Sequence, residues 1–145
     1  MILNKPNISS TQITDYGQDS WIPYVLVINY FTMKNIKLQP VQIALLNAML
    51  CPEYIRCVGV LSRRTGKTFI GNSLATLKLL EPGTRCTVVA PNYSLSAISF
   101  DIQQKELKEL GVELVRANQK DKVLELVNGS VFKIGSISQS DNLVG

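Results

Sequence analysis

The segment Ser62-Arg63-Arg64-Thr65-Gly66-Lys67-Thr68 constrains the fold of this chain more than any other. An apolar run, "CVGVL" (57–61), leads into it, and an amphipathic pattern over 67–80 leads out, stopped by Pro82-Gly83. A short apolar run of that kind predicts a buried parallel strand. The order strand, loop, helix brings successive backbone N–H groups and the positive end of a helix dipole onto one point, where an anion can sit. Gly-Lys-Thr supplies the matching chemistry. Gly66 lets the backbone approach phosphate oxygens with no side chain between. Lys67 is placed to reach the β- and γ-phosphates, and Thr68 to offer its hydroxyl to magnesium. The full pattern G-x-x-x-x-G-K-[ST] is not met, because Leu61 stands where its first glycine belongs. The loop therefore opens on a different backbone path. Arg63 and Arg64 lie inside it, next to where triphosphate oxygens would be. Either could stabilise charge on a transferring phosphoryl group, or both are solvated surface cations.

The rest of the chain reads as two stretches. Residues 1–20 are polar, with Pro6, Ser9, Ser10 and Gly17, and predict an extended arm. Within 21–37 a short helix is expected to pack Tyr24, Ile28 and Phe31. In "LQPVQIALLNAML" (38–50), Pro40 suits a first helical position. Val41, Leu45 and Ala48 or Met49 then share a face, and Pro52 stops the helix. Beyond the loop, "CTVVA" (86–90) predicts a second buried strand, broken by Pro91. A helix over 94–110 ends at Gly111, and "VELV" (112–115) is a weaker strand. "KVLELV" and "SVFKIG" flank Asn128-Gly129, a strong hairpin signal. Alternating strands and helices predict an α/β fold with a mainly parallel sheet.

Composition narrows the chemistry. A hydrophobic fraction of 46% and a charged fraction of 18% over 145 residues describe one globular domain with a core. A net charge of +4 and a pI near 9.0 permit nucleic-acid contact without demanding it. Lys105, Lys108, Arg116, Lys120 and Lys122 cluster in sequence but alternate with Glu106, Glu109 and Asp121. The chain has no histidine, which excludes a Ser-His-Asp triad. Cys51, Cys57 and Cys86 form no CxxC pair and read as reduced, small hydrophobes, with no zinc site. The richest apolar run, "YVLVINYF" (24–31), is far short of the roughly 18 residues that cross a bilayer. The first residues lack a signal pattern, so a cytoplasmic protein without a membrane partner is expected.

With those residues in view, the loop resembles the phosphate loop of the large terminase subunits of tailed bacteriophages, the motors that package viral DNA. Many of their loops also begin with serine-arginine. "LQPVQIALLNAM" (38–49) is similar to the family's adenine-binding glutamine segment, which superfamily-two helicases share. "VVAPNYSLSA" (88–97) resembles its strand-proline-turn element. "VLELVNGSVFKIGSISQSDNLVG" (123–145) resembles its hairpin and a following segment that ends in leucine-x-glycine. The likeness covers roughly 38–145 and leaves the first 37 residues unmatched.

That resemblance implies a P-loop NTPase of the RecA/ASCE-like kind, three-layer αβα with a mainly parallel sheet, incomplete, preceded by a helical arm. Residues 1–37 would be an arm or lid. Residues 38–145 would be the front of an ATPase domain that stops ahead of the Asp-Glu strand, with the nuclease domain outside it. ATP would be held by Gln42, Ser62, Arg63, Arg64, Thr65, Gly66, Lys67 and Thr68. Gln42 would read adenine, with Gln39 second to it. Arg63 or Arg64 would sense the triphosphate, and Thr68 would hold Mg2+. Asn92 would lie near the nucleotide or the DNA-facing rim, or serve only as a turn residue. Asp141 is a poor substitute for the aspartate of the Asp-Glu pair. Glu106, Glu109, Glu113 and Glu125, spread among lysines, read as solvated faces. Implied partners are double-stranded DNA, the portal protein, the small terminase subunit and further copies of the motor in a ring, in the host cytoplasm. The chain alone is expected to bind nucleotide weakly and hydrolyse it little. Two other readings stay open: a helicase-like DNA translocase, and a nucleotide-binding or interaction module without catalysis. Small-molecule kinases usually keep the first glycine.

Overall fold

The computed structural model describes residues 12–17 and 20–138. Pro6, Ser9, Ser10, Asp141 and the leucine-x-glycine ending all lie outside them. The described elements are α1 (Tyr24–Met33), α2 (Pro40–Leu50), α3 (Lys67–Leu79), β1 (Arg85–Ala90), α4 (Tyr93–Glu109), β2 (Leu114–Asn118), β3 (Val123–Leu126) and β4 (Val131–Ser136). The chain divides into two compact units, Met1–Gly71 and Asn72–Gly145.

In the first unit, α1 buries Val27, Tyr30 and Phe31. The expected face, Tyr24, Ile28 and Phe31, is rotated: only Phe31 is fully buried, and Tyr24 and Ile28 are half-covered. Aromatic packing sets the rotation. The Tyr30 and Phe31 rings meet edge to face at 5.1 Å, and Phe31 lies 6.1 Å from Phe69. Helix α2 begins with Pro40 at its first position, as expected. Its buried residues are Leu46, Asn47 and Leu50, while Val41 is exposed. The expected face of Val41, Leu45 and Ala48 or Met49 is therefore displaced. A purely apolar pattern cannot reveal that a polar Asn47 faces inward. Residues 57–61 depart furthest from expectation. They form no strand, and Val58 and Val60 are 93% and 95% exposed. A strand exists through the ladder it makes with a neighbour, and the first unit has no described strand to supply one.

In the second unit, four strands lie in the order β1-β4-β3-β2. β1 and β4 are parallel, with Val88 opposite Ile134, whereas β4 with β3 and β3 with β2 are antiparallel. The sheet is mixed, not mainly parallel. Residues 119–122 and 127–130 are too short for a crossover, so each can only reverse the chain. The hairpin at Asn128-Gly129 forms as expected, with Gly129 at φ +85. β1 alternates exposed and half-buried residues because it is an edge strand, where a fully buried one was expected. The weaker strand begins at Leu114, past the expected Val112. Leu79, Phe100, Leu107, Leu124, Leu126, Phe132 and Ile134 form one core cluster. The end of α3 and the buried face of α4 thus share one side of the sheet. Val123, Glu125, Val131 and Lys133 alternate with the buried strand residues and are only half-covered. Within this unit the described residues make two layers, not the expected three.

Candidate functional site

Residues 62–66 form a tight turn that delivers the chain into α3. Two residues in it are left-handed, Arg64 at φ +63 and Gly66 at φ +79. A non-glycine residue there carries strain of about 1–2 kcal/mol. Such alternation turns successive backbone N–H groups toward one side, as in anion-binding nests. Gly66 is also where α3 starts: the Ile70 N–H donates to its carbonyl at 2.9 Å. The N–H groups of the first turn of α3 have no carbonyl within the helix to bind.

The loop also folds on itself. The Ser62 carbonyl accepts from the Thr65 hydroxyl at 3.0 Å and from the Lys67 ammonium at 3.1 Å. Arg63, Arg64, Lys67 and Thr68 are exposed. No carboxylate occurs in sequence between Ser62 and Glu81, so three cations stand on a loop without an acidic residue of its own.

Gln42 reaches this turn from the first turn of α2. Its Nε2 donates to the Thr65 carbonyl at 3.3 Å, and its Oε1 accepts from the Gln39 N–H at 2.9 Å. A Cβ built on Gly66 would lie 2.4 Å from that Nε2. The structure thus joins Gln42 to Thr65 and Gly66, with both ends of its carboxamide engaged inside the chain. Sequence reading singled out Gln42 but not this bracing of the loop. The one available signal was a glutamine three positions after another, around a helix-starting proline. Asn92 lies in the second unit as the N-cap of α4, its Oδ1 accepting from the Leu95 N–H at 3.0 Å. That is the turn-residue role.

The residues present suit a polyanion: two left-handed residues in one turn, a helix start and three cations. For a divalent metal they offer the Thr68 hydroxyl. Among the described residues no three histidines, cysteines or carboxylates come together. No described helix is long and apolar enough to cross a membrane.

Among known proteins, the whole chain is 38% identical to the "Terminase, large subunit" of Escherichia phage T5, and spans 33% of that protein's length. No family model matches the chain. No solved structure matches it.

Proposed function

We propose, from the premise that this chain belongs with the phage terminase large subunits and corresponds to a third of one, that it carries the ATP-binding loop of a viral DNA-packaging motor. The observation that carries this reading is the turn of residues 62–66, with Arg64 and Gly66 left-handed and Gln42 seated on Thr65. In the proposed complex the backbone N–H groups at the start of α3 bind phosphate oxygens. Lys67 leaves the Ser62 carbonyl for the β- and γ-phosphates, and Thr68 offers its hydroxyl to Mg2+. Arg63 and Arg64 add positive charge beside the triphosphate. Gln42 holds the loop in shape, and contact with adenine would draw on the same carboxamide. Bound ATP with Mg2+ supplies the phosphoryl group whose hydrolysis drives movement.

In an intact motor, that hydrolysis would be coupled to threading double-stranded DNA into a procapsid. This reading places a ring of copies at the portal, with the small terminase subunit, in the host cytoplasm. Homology to a terminase favours packaging over a helicase-like translocase. The fold supports the coarse part of the reading, an α/β chain of four helices and a four-stranded mixed sheet.

Isothermal titration with a non-hydrolysable ATP analogue, with and without magnesium, tests the site. Measurable binding that Lys67→Ala abolishes is the expected result. No binding at millimolar analogue overturns it. In a phosphate-release assay this chain alone should stay near background.

A further inference from the structure

The last four carbonyls of a helix have no partner within it. In α2 the Asn47 carbonyl already accepts from the Cys51 N–H at 3.1 Å, whereas among the described residues those of Ala48, Met49 and Leu50 have no such partner. All four receive a side-chain hydrogen from outside the helix. The Tyr16 hydroxyl donates to Asn47 O at 3.0 Å, the Cys57 thiol to Ala48 O at 3.3 Å, and Ser20 Oγ to Leu50 O at 3.1 Å. The Trp21 indole N–H donates to Met49 O. Three of these four donors come from the stretch just ahead of α1. The same stretch is tied to α2 a second way. Asn47 is fully buried; its Oδ1 accepts from the Thr14 N–H at 2.7 Å and its Nδ2 donates to Gln12 O at 3.0 Å. Its carboxamide stands in for a neighbouring strand.

Gln42, at the other end of α2, braces the loop. At about 1.5 Å rise per residue, Gln42 and Asn47 are roughly 7–8 Å apart along the axis. No glycine or proline interrupts the helix between them. A shift at one end therefore reaches the other without a hinge to absorb it.

We propose that the described residues 12–17 and 20–22 are a latch on α2, and that Asn47 is the positioning residue through which the latch keeps Gln42 on Thr65. Its effect on nucleotide affinity rests on the function proposed above; its effect on the loop does not. With the latch seated, α2 has its terminal carbonyls satisfied and Gln42 meets the loop. With it released, the Met49 and Leu50 carbonyls and the Asn47 carboxamide lose their partners, the C-terminal turn of α2 loosens, and Gln42 loses its fixed place. Coupling of this kind is reciprocal: a ligand that orders the loop tightens the latch.

Hydrogen exchange on the full chain without nucleotide decides the matter. Asn47→Ala should speed exchange at residues 65–69 by about threefold to tenfold, the size of coupling between contacting groups. Exchange in β3 and β4 should stay unchanged. Gln42→Ala should loosen the same amides, and the double variant should loosen them no further. Additive effects, or uniformly faster exchange throughout, overturn the latch. Tyr16→Phe and Ser20→Ala, each losing one hydroxyl, give the same reading if Asn47→Ala does not fold. Trp21, the single tryptophan, supplies a second signal: its emission should shift in Asn47→Ala and shift the same way, by less, in Gln42→Ala. An unshifted Asn47→Ala spectrum counts against the latch. If the wild-type chain binds no ATP analogue, the nucleotide reading fails, while the exchange data still decide the latch.

Discussion

Gly66 leaves no space for a side chain beside Gln42, since a Cβ there would meet the Gln42 amide nitrogen at 2.4 Å. Two effects therefore act against Gly66→Ala. The left-handed φ of +79 strains any L-residue, by about 1 kcal/mol or more. The added methyl also pushes Gln42 off the Thr65 carbonyl. The collision is with the end of a flexible side chain, so it can be relieved and the backbone strain cannot. Chemical denaturation should show Gly66→Ala less stable than wild type by about 1–2 kcal/mol. In a Gln42→Ala background the penalty should shrink but not vanish. An unchanged penalty there would mean that Gln42 does not crowd this glycine in solution.

Lys67 and Arg64 should separate binding from stability, with opposite signs. Lys67 is exposed and holds only a loop carbonyl. Lys67→Ala should change stability by less than about 0.5 kcal/mol while removing most of the affinity for an ATP analogue. Arg64→Gly releases a left-handed non-glycine residue, so the protein should gain roughly 0.5 kcal/mol or break even. If the guanidinium faces the triphosphate, the same variant binds more weakly. A protein that is no less stable and yet binds less would assign Arg64 to the ligand. Thermal melts and titration on the same samples give both numbers.

Asn128 carries more than its turn. Its Nδ2 donates to the Leu79 and Leu80 carbonyls at 2.9 and 3.3 Å, closing the end of α3, and its Oδ1 accepts from the Ser130 N–H at 3.0 Å. Ser130, fully buried, donates in turn to Glu81 O at 2.7 Å. Only Gly129 in this turn has positive φ, so Asn128 is not required for its left-handed tolerance. Asn128→Gly, harmless in a two-residue hairpin turn, should here cost about 1–2 kcal/mol through lost hydrogen bonds. Equal stability of the two proteins in urea would show that this cap contributes nothing.

Asn128 also shows what the sequence could and could not disclose. The hairpin was legible because turn chemistry is local. The cap on α3 was not, because its partner lies some fifty positions away. The limits of α3 and α4 were legible for the same local reason, from Pro82-Gly83 and Gly111. Residues 57–61 are the opposite case. Val58 and Val60 invite a buried strand, but burial is a property of a neighbour, and within the first unit no described strand supplies one. The mainly parallel sheet was an extrapolation from alternating elements. The short links at 119–122 and 127–130, counted, already imply reversal. Gln42 was singled out for adenine, not for its hold on Thr65, and Asn47 was missed, because a buried amide at one point of an apolar helix breaks no visible pattern.

Cys57 offers a chemical test of the C-terminal end of α2. It is exposed, yet its thiol is raised above the ordinary cysteine range, first by desolvation and then by the nearby Cys51. Its proton also sits on the Ala48 carbonyl at 3.3 Å. A thiolate there would lose that bond and place negative charge at the negative end of a helix dipole. Alkylation needs the thiolate, so at pH 7–8 Cys57 should react with iodoacetamide more slowly than a free thiol. Its rate should still be climbing at pH values where the free thiol has levelled off. For stability the sign follows from the raised value: the folded state holds the proton more tightly than the unfolded one. The contribution is full below the ordinary thiol range and is lost as pH rises through the folded value. Cys57→Ser keeps a donor for Ala48 O and does not ionise, so its stability should match wild type at neutral pH and exceed it above that range. Parallel pH curves for the two proteins would remove Cys57 from the account of how α2 is capped.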